Sequence, residues 1–222
     1  MRRKSISFFL ILLSLGILSA TTKEGCKHKT KTIVFESAAD VDDAHLNYFE
    51  DRPENCNAKG GESNELPIYK WTVYGVPVTG RAVLKFALDK IPQKSKIVSA
   101  KLSLFGFPDK FPSNAIPQGN KGDNIVVLQR VIENWKEETV TWNNQPASTA
   151  EGQIELPIST SQWEYNIVNF DVTDLVKQMN ATNNYGFSIR LKKEETYRSI
   201  GFLSNEYSDP AKRPRLIINY KN

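Results

Sequence analysis

Residues Arg81–Leu88 (RAVLKFAL) decide the fold class, because inward and outward side chains alternate along them with a period of two. In an extended chain the two sets are Ala82, Leu84, Phe86 and Leu88 on one face, and Arg81, Val83, Lys85 and Ala87 on the other. Side chains of a β-strand alternate between two faces, whereas a helical stripe would repeat about every 3.6 residues. The stretch therefore predicts a half-buried β-strand.

Alternation of the same kind recurs along the chain. It is clearest in Lys101–Phe107, Phe187–Leu191 and Arg215–Tyr220. Further strand candidates are Asn124–Val131, Val140–Trp142, Val168–Val172 and Ser199–Leu203. Many short strands separated by Gly, Pro and Asn predict an all-β sandwich of two antiparallel sheets, in one domain over residues 33–222.

One segment is predicted to be helical. Thr173 is a residue type that caps helix N-termini, and Leu175, Val176 and Met179 follow it as a short apolar stripe. Residues 40–77 are polar, and we expect long loops there around an early strand.

The N-terminus has the three parts of a secretory signal peptide. Basic residues at positions 2–4 precede the apolar run Ile6–Leu18, and small residues follow up to Ala20. The run is too short to cross a bilayer core of roughly 30 Å as a helix, so no transmembrane segment is expected. We expect residues 1–20 to be removed, residues 21–32 to form a flexible polar leader, and the mature protein to be secreted or held at the cell surface.

The net charge of +4 reflects this targeting segment. The chain has 29 Lys and Arg against 25 Asp and Glu, and residues 1–20 contain three basic residues and no acidic one. The remaining 26 basic and 25 acidic residues leave the mature chain nearly neutral. A nucleic-acid partner is not expected, because such proteins carry a strongly basic domain or patch.

Cys26 and Cys56 are the only cysteines. In an exported protein an isolated pair is typical of one disulfide. Lipid anchoring at Cys26 is less favoured, because Lys23, Glu24 and Gly25 stand where small or apolar residues are needed. Metal binding by two cysteines so far apart is the least favoured interpretation.

No catalytic motif is evident. The only histidines are His28 and His45, no Gly-rich phosphate loop is present, and no pair of carboxylates stands out. Asp40, Asp42 and Asp43 form an acidic cluster whose oxygen atoms suggest calcium, although their spacing does not match a helix–loop calcium motif. A solvated acidic loop without calcium is the favoured alternative, and no other cofactor is expected.

Aromatic side chains suggest a saccharide platform, because the apolar C–H face of a pyranose stacks on an exposed ring. Trp71 lies between Tyr69 and Tyr74 in the region predicted to be loop-rich, so we expect it to be exposed. Core packing at the end of a sheet is the favoured interpretation for Trp135 and Trp142.

Cations at outward strand positions suggest an anionic ligand. Arg81, Lys85, Lys101, Arg190 and Lys192 would line one face if their strands shared a sheet. Arginine binds a carboxylate in a bidentate manner, so such a face suits carboxylated sugars. The alternative is that lysine and arginine are simply the usual outward residues of a half-exposed sheet.

Five motifs in order carry a family resemblance: IVSAKLSLFGF (Ile97–Phe107), NWKEETVTWNNQP (Asn134–Pro146), FDVTDLVKQM (Phe170–Met179), NYGFSIRL (Asn184–Leu191) and FLSNEYSDPAKRPRLIINY (Phe202–Tyr220). Together they resemble the DNRLRE domain, also described as the family 96 carbohydrate-binding modules, from about Arg81 to the C-terminus.

The resemblance implies a jelly-roll β-sandwich that binds polysaccharide without catalysis, with alginate-like acidic glycans as the best-known ligands. A surface adhesion or matrix protein with a protein partner is the first alternative function, and a divergent polysaccharide lyase or hydrolase is the second. Glu206 and Arg213 are expected to pair and to fix the last strand.

Overall fold

The fold is described by a computed structural model, which covers residues 29–107, 124–158 and 165–222. The predicted signal peptide, most of the predicted leader and Cys26 lie outside the described residues. The strands are β1 (Lys31–Phe35), β2 (Val41–Phe49), β3 (Glu65–Val73), β4 (Val76–Phe86), β5 (Lys96–Leu104), β6 (Val126–Val131), β7 (Ser148–Glu155), β8 (Ile167–Asp171), β9 (Phe187–Leu191), β10 (Arg198–Leu203) and β11 (Arg215–Lys221), with the helix α1 (Thr173–Ala181) between β8 and β9.

Two antiparallel sheets enclose the core, which confirms the predicted all-β sandwich. The four-stranded sheet has the order β1-β11-β5-β8, and the seven-stranded sheet has the order β10-β3-β4-β9-β6-β7, with β2 also paired to β4. The inward residues predicted for Arg81–Leu88 are buried, and Ala82, Leu84 and Phe86 face the interior of the sandwich.

A segment outside the sandwich, residues 132–147, covers part of the outer face of the seven-stranded sheet. Trp135 and Val140 from this covering segment pack on Ala44, Leu46 and Val83. The Trp135 indole Nε1 donates a hydrogen bond to the Tyr185 carbonyl oxygen at 2.8 Å. The core role predicted for Trp135 is confirmed, and Trp142 packs against the same cluster.

Two local predictions are wrong for identifiable reasons. Val140–Trp142 is not a strand, because its apolar residues serve the covering segment, where Thr141 is held in a turn by Asn144. Thr173 begins α1 but does not cap it, since its hydroxyl accepts a hydrogen bond from the Ala100 amide on β5 at 2.9 Å.

The polar region 40–77 holds more regular structure than the sequence indicates. It contains the two nine-residue strands β2 and β3 in place of most of the predicted long loops. On β2 the register pairs Asp42 with Lys85 and Tyr48 with Thr79, whereas the polar Asp43 and His45 lie opposite the apolar Leu84 and Ala82 of β4. Strand β7 is also absent from the sequence prediction.

Gly201 on β10 has no room for a side chain. A Cβ atom there would lie 1.9 Å from the ring of Phe107, which is itself buried. We expect Gly201→Ala to lower the free energy of unfolding by about 1–3 kcal/mol, as overpacked cores do, measured by urea or thermal denaturation. The double variant Phe107→Leu/Gly201→Ala should lose less than the sum of the two single variants, and strict additivity would contradict the steric explanation.

Candidate functional site

The pairing of β4 with β9 determines which of the predicted cations share a surface. Val83 lies opposite Ser188, so Arg81, Lys85 and Arg190 belong to the same outer face of the seven-stranded sheet. Lys101 lies on β5, in the other sheet.

Arg81 and Lys85 already have partners on that face. The Arg81 guanidinium makes two hydrogen bonds to the Glu194 carboxylate, at 2.7 and 3.0 Å, and lies 4.6 Å from the ring centre of Trp142. Lys85 Nζ lies 2.6 Å from Asp42 Oδ2 and 4.8 Å from the ring centre of Trp135. A ligand carboxylate would have to compete with the Glu194 and Asp42 carboxylates for these cations. The contacts of the two cations with Trp142 and Trp135 also attach the covering segment to the sheet.

Lys192 lines an open pocket together with two cations, Lys193 and Arg198, that the sequence analysis did not single out. The pocket has a volume of about 250 Å³ and is lined by Ile125, Lys192, Lys193, Glu195 and Arg198, a set we call the basic pocket. Strand β9 ends just before Lys192, and β10 begins at Arg198, so the ends of two strands position the charges.

Cations outnumber carboxylates in the basic pocket. Lys192 Nζ lies 2.6 Å from Glu155 Oε1, with both side chains nearly half exposed, and Arg198 lies 3.3 Å from Glu195. Lys193 has no ion-pair partner among the described residues. Because exposed ion pairs are weak, an anionic ligand can displace the Lys192–Glu155 contact at little cost, whereas the Arg198 side chain is only 18% exposed.

Trp71 and Tyr69 are buried, so the expectation of an exposed Trp71 is wrong. Trp71 is 5% exposed, and its ring meets that of Tyr197 edge-on at 5.0 Å between centres. Tyr69 donates its hydroxyl to Asn47 Oδ1 at 2.7 Å, and burial raises the pKa of this phenol. The sequence indicates mostly loops in residues 40–77 and no strand at Glu65–Val73, so it does not predict that these rings are buried.

Tyr74, in contrast, is completely exposed. It forms with Gly75 the two-residue turn between β3 and β4, and both residues have positive φ angles, +51° and +82°. This is the turn geometry that favours Asn-Gly, and a tyrosine there is strained. A bulky residue kept in such a conformation and fully open to solvent is a candidate for ligand contact.

Residues 54–220 match the model of carbohydrate-binding module family 96. The chain belongs to this family. The match covers most of the chain and supports the carbohydrate-binding module that the sequence motifs indicated. No curated protein sequence matches the chain. None of the helices in the described parts of this module is long and apolar enough to cross a membrane.

The three aspartates of the calcium hypothesis do not converge in the module. Desolvation alone would raise the pKa of Asp40, but its pair with Lys90 and the hydrogen bonds from Ser37 together hold this pKa below the usual value. Asp42 pairs with Lys85 on the outer face of β2. Asp43 is adjacent on the same strand and therefore points to the opposite, inner side.

Asp43 instead meets two glutamates from distant parts of the module. Carboxylate oxygens of Asp43, Glu137 and Glu206 all lie within 4.8 Å of one another. Burial and then the nearby charge of Glu206 raise the pKa of Asp43, and burial raises the pKa of Glu137 to about 7. We call these three residues the carboxylate triad. The predicted Glu206–Arg213 pair is wrong, since Arg213 donates to the Tyr207 carbonyl oxygen.

Cys56 is buried with a free thiol, beside the backbone of Phe49 and Arg52. Its predicted partner Cys26 lies outside the described residues, so the disulfide stays a prediction.

Proposed function

We propose that this module is exported and binds an acidic polysaccharide, such as alginate, without acting on it chemically. The basic pocket is the observation that carries the choice of an acidic ligand. Its three cations face an open cavity, and uronic acid residues present one carboxylate each along a glycan chain. Lys192, Lys193 and Arg198 supply both charge and hydrogen-bond donors for such groups.

Tyr74 supports the same proposal with a different interaction. Its exposed ring offers an apolar, electron-rich face to the C–H groups of a pyranose, as Trp71 and Tyr69 do not in their buried positions. The predicted roles of Arg81, Lys85 and Arg190 remain part of the proposal as a flanking cationic surface, although the first two would exchange existing partners for the ligand.

A non-catalytic role agrees with the residues that line the basic pocket. Its described lining contains lysines, an arginine and one glutamate, but neither a tyrosine nor a histidine that would abstract the proton in a lyase reaction. His45 is partly buried, and desolvation lowers its pKa. Export, with release or retention at the cell surface, rests on the pattern of residues 1–20, and cell fractionation tests it.

Affinity electrophoresis against alginate, polygalacturonate and neutral glucans tests the ligand class. We expect retardation by the two acidic polymers that weakens as salt rises, because exposed charge contacts are screened. Retardation by neutral glucans alone would contradict the acidic ligand. Absence of retardation by every polymer would contradict glycan binding and favour a protein partner, and new unsaturated or reducing ends would show catalysis.

Tyr74→Asn separates ligand contact from folding. Asparagine tolerates the positive φ angle of this turn better than tyrosine does, so we expect unchanged or slightly higher thermal stability. Glycan affinity should fall about tenfold if one stacking contact of about 1–1.5 kcal/mol is lost. Tyr74→Trp is the matched variant that keeps an aromatic ring, and it should retain binding. Normal binding by Tyr74→Asn would exclude the ring from the site.

A further inference from the structure

The side chain of Asp43 is fully buried, yet one of its carboxylate oxygens has no hydrogen-bond partner among the described residues. Its Oδ2 accepts a hydrogen bond from the Asn205 backbone N–H at 2.8 Å, whereas Oδ1 is unpaired. Glu206 Oε2 is likewise buried and unpaired. Buried carboxylates without partners are costly, so these oxygens indicate a missing positive ligand or a retained proton.

The carboxylate triad gathers three separate parts of the chain. Asp43 lies on β2, Glu137 lies in the covering segment, and Glu206 follows β10. The Glu137 carboxylate is fixed in place, since its Oε1 accepts a hydrogen bond from the Asp43 amide at 2.9 Å. Gly61 packs closely against the same residue: a Cβ atom at position 61 would lie only 2.5 Å from Glu137 Cγ, so a larger side chain there would displace Glu137.

We propose that Asp43, Glu137 and Glu206 bind a calcium ion. Calcium takes oxygen ligands at about 2.3–2.6 Å, which permits oxygen–oxygen distances up to about 5 Å around one ion. The triad oxygens, all within 4.8 Å of one another, meet that limit. Magnesium binds oxygens at about 2.0–2.1 Å in a strict octahedron and would require a tighter cluster.

An open pocket gives the ion access and room for water ligands. It has a volume of about 400 Å³ and is lined by Lys59, Gly61, Glu62, Glu137, Glu138 and Glu206. Carboxylates outnumber cations in this lining, so the approach attracts a cation. Calcium requires six to eight oxygens, and water entering from the pocket completes the set that the triad begins.

The ion would connect β2, the covering segment and the chain after β10. Binding to the folded state alone stabilises it by an amount that rises with the logarithm of the ligand concentration. For a domain of this size, we expect the melting temperature to rise about 5–10 °C when free calcium is about 100 times its dissociation constant.

The test uses the full chain treated with EGTA, with calcium chloride added in a calorimetric titration and in thermal denaturation. We expect one site per chain and a rise in melting temperature that magnesium does not reproduce. If calcium produces no binding heat and no rise in melting temperature, the proposal is overturned, and the result indicates instead that the triad retains a proton. Preference for zinc over calcium would overturn the choice of metal.

Glu206→Gln locates the site without depending on the most buried residue. It should abolish the calcium-induced rise, while its melting temperature in EGTA stays equal to or above that of the parent, because repulsion in the triad is relieved. Glu138→Gln is the matched control: it lines the same pocket outside the triad and should keep the full rise. Undiminished calcium binding by Glu206→Gln would overturn this location.

Discussion

Replacing Lys193 and Arg198 together by glutamine is expected to lower the affinity for alginate about tenfold. Both side chains line the basic pocket; Lys193 is exposed, whereas the Arg198 side chain is only 18% exposed and pairs with Glu195, so the melting temperature of the double variant is measured alongside its affinity. Contacts of about 0.5–1 kcal/mol each, the range for exposed charge pairs, together give a tenfold change in the dissociation constant. Titration calorimetry with alginate oligosaccharides at low salt measures it.

Lys177→Gln is the control for nonspecific charge loss. Lys177 lies on α1, makes an exposed ion pair with Asp174 at 3.1 Å, and does not line the basic pocket. Its removal should leave alginate affinity and its salt dependence unchanged. Equal losses in the control and in the pocket variant would mean that net charge, rather than the pocket, governs binding.

Trp135→Ala is expected to produce the largest loss of stability, about 3–5 kcal/mol. The indole is buried between the covering segment and the outer face of the sheet, and it also supplies the hydrogen bond to Tyr185. Chemical denaturation should show this loss as a lower midpoint. Because this ring is one of the contacts that pack residues 132–147 on the sheet, proteolysis of the segment should become faster in the same variant.

Trp135→Phe separates packing from hydrogen bonding. It keeps most of the apolar contact but leaves the Tyr185 carbonyl oxygen without this donor, so an intermediate loss of about 1–3 kcal/mol is expected. Ile158→Ala, at an exposed position, should change stability by less than about 0.5 kcal/mol. A Trp135→Ala variant as stable as Ile158→Ala would show that the covering segment does not depend on this ring.

Strands with a clear two-residue alternation were predictable, because burial of one face leaves that pattern in the sequence. Phe187–Leu191 has the predicted bounds, and Arg215–Lys221 differs by one residue. Strand β2 falls in a region predicted to be mostly loop, because its inner face carries the polar residues Asp43, His45 and Asn47, while its apolar Ala44 and Leu46 face outward beneath the covering segment. Buried polar contacts that depend on a distant partner leave no periodic signal.

For the candidate binding residues as well, the sequence predicted strand positions but not long-range partners. The sequence placed Arg81, Lys85 and Arg190 on outward positions, since strand alternation is local. It did not show that Glu194 and Asp42 neutralise two of them, that Trp71 is buried, or that Lys193 and Arg198 open on one pocket with Lys192. Those facts depend on which strands meet, and on the path of the covering segment.

The sequence by itself determined the fold class, the family motifs and the alternating faces, because each of these depends on residues that are close together in the chain. Tertiary structure alone decided which charges remain available and which meet. Asp42 and Asp43 illustrate the difference: adjacent in sequence, they point to opposite sides of β2, one to Lys85 and the other to Glu137 and Glu206. Long-range strand pairing sets these partners, and no local pattern of residues specifies them.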